Sequence, residues 1–124
     1  MAKPRVFLSK PSGIETNTFS NNNGEVWYVA NLIERAKGLE PFELPLAHID
    51  INGCYWNIRT GRQFLQQMKR VWAADLQYPV IMDGDGFVMD GWHRIMKAIF
   101  EDRDHIMAVR FDETPPCDYI RSKE

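Results

Sequence analysis

The sequence predicts a small α/β (α+β) domain built on one mixed sheet with helices against it. Three observations carry that prediction: an Asp-Gly turn between two apolar runs at 79–89, amphipathic helical stripes on either side of it at 61–74 and 92–100, and a closing apolar run at 106–111. Strand, helix, hairpin, helix and strand, in that order, give a mixed sheet. With 124 residues, 44% of them hydrophobic and 12% aromatic, the chain can bury one core and has little room for a second.

Along the chain, residues 1–24 read as an irregular N-terminal segment, 25–114 as the domain and 115–124 as a peripheral tail. The first segment is broken by Pro4, Pro11, Gly13 and Gly24, and only residues 6–8 suit a short strand. From 25 to 37, Val26, Val29, Ala30, Ile33 and Ala36 recur at helical spacing. Asn23 is the expected cap of that helix and Gly38 its stop. Pro41 and Pro45 bracket Phe42 to Leu44, residues 46–51 read as a short strand, and Asn52-Gly53 as a turn.

Thr60 with Gln63 forms a capping box for a helix at 61–74, whose apolar face carries Phe64, Leu65, Met68, Val71 and Trp72. Residues 78–82 and 87–89 are the strands on either side of the Asp83-Gly84-Asp85-Gly86 turn, since Asp-Gly pairs accept the positive φ of tight hairpins. Asp90 is placed to cap the following helix, which presents Trp92, Ile95, Met96 and Ile99 on one stripe.

Charge narrows the function. Fifteen basic against seventeen acidic residues leave a formal charge of −2 and a pI near 5.9. A stand-alone duplex-DNA binder needs a basic excess to displace counterions, so tight DNA binding is not expected. Cys54 and Cys117 show no metal-ligand spacing and read as reduced thiols. No apolar leader or membrane-length run occurs, and a cytoplasmic location with no membrane partner is the expectation.

The chemistry concentrates at Gly91-Trp92-His93-Arg94. A helix start exposes unpaired amides and the positive end of the dipole, which together attract phosphate. Gly91 would let an anion approach the backbone, and His93 and Arg94 could add hydrogen bonds or charge. Plainer roles stand beside these. Trp92 suits packing, Asp83 and Asp85 suit turn chemistry rather than magnesium, and Lys69 and Arg70 suit a solvated helix face. His48 and His105 read as structural or surface residues, and Trp27, Tyr28, Tyr55 and Trp56 as core or interface.

The run Val80-Ile81-Met82-Asp83-Gly84-Asp85-Gly86-Phe87-Val88-Met89-Asp90-Gly91-Trp92-His93-Arg94, followed by Ile95 and Ala98, resembles the signature of the ParB/sulfiredoxin superfamily: apolar strand, turn, apolar strand, then Gly-x-x-Arg opening a helix. The similarity extends over residues 42–111 and is specific over 79–98. It implies nucleotide binding, ATP or CTP with magnesium, with Gly91, Trp92, His93 and Arg94 on the phosphates. It adds Arg59, Thr60 and Arg62 at the start of the preceding helix, by position, and offers Asp50 and His93 as catalytic groups.

The chain also departs from the superfamily. Sulfiredoxins carry a cysteine where this chain has Trp92, so sulfinic-acid reduction is not expected. Partition proteins continue into a helix-turn-helix domain, which is not expected from the residues after Arg94. The resemblance therefore points to a nucleotide-binding protein, as a nucleoside triphosphatase or phosphotransferase, with a protein partner or a homodimer as further expectations. The alternatives are a nuclease-like or DNA-binding ParB-like protein and a non-catalytic regulatory module.

Overall fold

A computed structural model describes residues 4–8, 17–54 and 56–121. Its elements are β1 (Thr18–Ser20), β2 (Glu25–Tyr28), α1 (Val29–Ala36), β3 (Phe42–Pro45), two 3-10 turns (Leu46–His48 and Ile51–Gly53), α2 (Gly61–Ala73), β4 (Val80–Met82), β5 (Val88–Asp90), α3 (Trp92–Phe100), β6 (His105–Arg110) and β7 (Tyr119–Ile120). The fold is mixed α+β, with two small sheets where one was expected. The larger runs β3-β6-β4-β5, with β4 and β6 parallel and the other pairs antiparallel; the smaller runs β1-β2-β7, all antiparallel.

The larger sheet is buried on both faces, which explains why Val80, Ile81 and Met82 are all apolar and all buried. Alternation sends Val80, Met82, Val88, Ile106 and Ala108 to one face, where Ile95 and Ala98 of α3 meet them. Ile81, Met89 and Val109 go to the other, where Trp27 of β2, Leu32 of α1 and Phe111 cover them. The hairpin forms as expected: Asp83 Oδ1 accepts from the amides of Asp85 and Phe87, both at 2.9 Å, and Gly86 takes φ +91°. That is turn chemistry for Asp83. The Thr60–Gln63 capping box is complete, and α2 follows it.

Five expectations are corrected. Residues 25–37 are not one helix, because the Val26-Trp27-Tyr28 run enters a strand. The asparagine run makes the hairpin before it: Asn21 Oδ1 accepts from the amides of Asn23 and Glu25, and Gly24 sits at φ +80°. Asn23 therefore caps nothing.

Residues 46–51 form no strand. The strand is β3, at the sheet edge, where Pro45 removes no needed donor, and the chain then turns through its two 3-10 turns. Residues 6–8 likewise carry no regular element.

The segment after Thr114 is not peripheral. β7 pairs with β2, the Trp27 Nε1–H donates to the Pro115 carbonyl at 2.9 Å, and Arg35 donates to the Pro116 carbonyl at 2.9 Å. Asp118 accepts from the Tyr28 amide at 2.7 Å and the Asn31 side chain at 3.0 Å, so α1 is capped from another part of the chain.

The fifth correction concerns Asp90. It ends β5 and does not cap α3; the N-cap is Gly91, and among the described residues no side chain caps that helix.

Candidate functional site

Gly91 sits at φ +123°, a conformation that side chains rarely adopt. A Cβ there would lie 2.9 Å from Val80 Cγ2 and 3.2 Å from an Arg94 guanidinium nitrogen. The glycine is thus required where β5 turns into α3 against β4. Arg94 then folds back. It donates to the carbonyls of Tyr78 and Pro79, each at 2.8 Å, and to Asp90 Oδ2 at 2.7 Å. This fork ties α3 to the entry of β4 and to the end of β5. It is held by protein acceptors, whereas the sequence suggested it for phosphate.

His93 is half-buried, its ring stacked on Trp56 with centroids 4.6 Å apart and its Nε2 bonded to Gln67 Oε1 at 2.8 Å. The amide oxygen requires the proton on Nε2, leaving Nδ1 as an acceptor. Burial, and then the charges of Arg70 and Arg94, push its pKa down to about 4. The ring is therefore neutral at pH 7, which corrects the expectation that His93 adds charge to an anion site.

One turn further along α3, Lys97 donates to the carbonyls of Trp72 and Ala74 and closes the C-terminal end of α2. The half of α3 that carries Lys97 consequently packs on the C-terminal end of α2, while His93 in its first turn meets Gln67 midway along α2.

Between the C-terminal ends of α1 and α2 and the start of α3 opens a cleft of about 830 Å³. Its apolar lining includes Ile33, Leu39, Pro41, Ile81 and Val109, and its polar lining includes Lys37, Arg70, Asp75, Tyr78, Asp90, His93 and Arg94. The volume falls in the range of small-molecule sites. The first amides of α3, which have no intrahelical acceptor and, among the described residues, no side-chain cap, belong to the same region.

Of the residues singled out from sequence, Gly91, His93 and Arg94 line this cleft. Trp92 instead packs against the core cluster of α3, in keeping with its plainer role. Thr60 spends its hydroxyl on the Gln63 amide, Arg59 bonds Asn57, and Arg62 donates to the Phe7 carbonyl; all three are exposed and none lines the cleft. Asp50 is exposed and accepts from the Asn52 amide at 3.0 Å, also outside the cleft. The structure does not bring these four to the start of α3.

Arg70, read from sequence as part of a solvated face, is half-buried and lines the cleft; Lys69 beside it is exposed. The Asp90–Arg94 pair was also missed, although its i,i+4 spacing was a usable signal. Among the described residues, no group of three or more His, Cys, Asp or Glu side chains could hold a metal ion, and no helix is long and apolar enough to cross a membrane.

Compared with known proteins, the chain matches no family model, no curated protein and no solved structure.

Proposed function

We propose that the protein binds a phosphate-bearing small molecule, with a nucleotide such as ATP or CTP as the favoured class, in the cleft at the start of α3. The observation that carries this reading is the uncapped first turn of α3 opening on a cleft of nucleotide-compatible size. The strand, hairpin and Gly-x-x-Arg order that resembles the ParB/sulfiredoxin superfamily supports the same ligand class, and membership of that superfamily is part of the proposal. So is a cytoplasmic location.

Binding is proposed ahead of phosphoryl transfer. Asp50 caps a turn away from the cleft, and a histidine with a pKa near 4 is a weak base at neutral pH. Asp90 is engaged by Arg94, and Asp75 Oδ1 accepts from the Gln77 amide, so magnesium would arrive on the phosphates of the nucleotide.

A thermal-shift screen of the full chain with ATP, CTP, ADP, inorganic phosphate and a short duplex DNA tests the proposal. A ligand that binds only the folded state raises Tm with concentration. The expected result is a saturable rise with a nucleotide and none with DNA at about 150 mM salt, where exposed charges are screened. No rise with any phosphate-bearing ligand at millimolar concentration would refute the reading. A rise with DNA alone would favour the nucleic-acid alternative.

A further inference from the structure

We infer that Arg70 is the side chain that grips the ligand's phosphate group, while Arg94 positions the start of α3. The inference rests on the proposed ligand class and deepens it by naming the recognising residue. It follows from what each charged group of the cleft is already doing. Lys37 is paired with Glu34 at 2.7 Å. Arg94 is paired with Asp90 and also bonded to two carbonyls, and Asp75 Oδ1 serves the Gln77 amide. Among the described residues, Arg70 makes no ion pair and no side-chain hydrogen bond.

Its position suits the role. Gln67, three residues earlier on α2, bonds the ring of His93, so the same face of α2 brings Arg70 toward the first turn of α3. Arg70 is half-buried and lines the cleft together with Gly91 and His93. A guanidinium on one side and the free amides of a helix start on the other form a two-sided receptor for a group with several terminal oxygens. His93 is neutral and its Nδ1 is an acceptor, so it offers the phosphate no donor and leaves recognition to the guanidinium and the amides. The carboxylates of Asp75 and Asp90 also line the cleft, and they disfavour an anion that does not engage the guanidinium directly. The apolar lining of Ile33, Leu39 and Ile81 leaves room for the uncharged body of a phosphate ester.

Isothermal titration of the full chain with ATP and with inorganic pyrophosphate tests this. Arg70→Gln should raise Kd for both by about 10- to 100-fold, as expected for loss of charge-assisted bonds, without lowering the ligand-free Tm. Arg70→Lys should recover part of the loss, because it keeps the charge and loses the fork. Lys69→Gln makes the same change of net charge at the neighbouring exposed position and should bind as wild type does. Equal affinity in wild type and Arg70→Gln would overturn the inference and leave the cleft reading standing. An equal loss in Lys69→Gln would also overturn it, as a general charge effect. Wild-type protein that binds neither probe would overturn both.

Discussion

Substituting alanine at Gly91 adds one methyl group where the backbone has φ +123° and where Val80 Cγ2 would stand 2.9 Å away. Two costs combine. The positive φ costs an L-residue about 1–2 kcal/mol, and forcing a methyl into a packed contact costs about 1–3 kcal/mol. The sum, about 2–5 kcal/mol, is a large part of the roughly 5–15 kcal/mol that holds a domain together. For a chain of this size the expected fall in Tm is on the order of 10 °C.

Urea or thermal unfolding measures the effect, and two other glycines separate its parts. Gly38 has φ +94° with open space around its missing Cβ, so Gly38→Ala should show the backbone cost alone. Gly61 opens α2 with nothing within 4 Å, and Gly61→Ala should be neutral or stabilising by up to about 1 kcal/mol. A Gly91→Ala protein no less stable than Gly38→Ala would refute the packing contribution. One as stable as wild type would refute the whole account of why glycine is required there.

Two further outcomes follow from the same corner of the fold. Arg94→Ala strands the partly buried Asp90 carboxylate and two carbonyls, and should cost about 2–4 kcal/mol in denaturant unfolding; recovery to wild-type stability by Arg94→Lys would contradict the bidentate role. His93 is held neutral in the folded protein, with a pKa of about 4 against an ordinary value of 6.5. Below pH 6.5 the unfolded chain therefore binds the proton more readily, and stability should fall as pH drops from about 6.5 to about 4, by on the order of 1–2 kcal/mol once solvent screening of the partly exposed ring is allowed for. His93→Gln should flatten that part of the profile, and an unchanged slope in the variant would assign it to other groups.

What was legible in the sequence was legible for local reasons. The Thr60–Gln63 box, the Asp-Gly hairpin and the glycine opening α3 are each specified by residues within a few positions of one another. β2 was misread because Val26, Val29 and Ile33 fall on a helical stripe although the first belongs to a strand. Short apolar runs carry that ambiguity, and tertiary pairing with β1 and β7 resolves it. Within the candidate site, Gly91, His93 and Arg94 were found from their motif. Arg70 was not, because its setting depends on the end of α1 facing it across the cleft, a relation that no spacing along α2 encodes. The carboxylate of Asp118 was equally invisible as a cap, being 90 residues from the Tyr28 amide it serves.

That last separation governs the order in which the molecule can assemble. α1 has eight residues and lacks an N-cap side chain of its own, so it is marginal as an isolated helix. Its capping carboxylate, and the strand that pairs with the outer half of β2, come from the far end of the chain. On a ribosome, the β4–β5 hairpin, α3 and β6 can gather their own contacts as they emerge. The cap that completes α1 must wait until residue 118 is free of the exit tunnel. Closing so long a loop is entropically costly and comes late in folding. During synthesis, therefore, α1 gains its capping carboxylate only after the strands and helix that form the other walls of the cleft have been made.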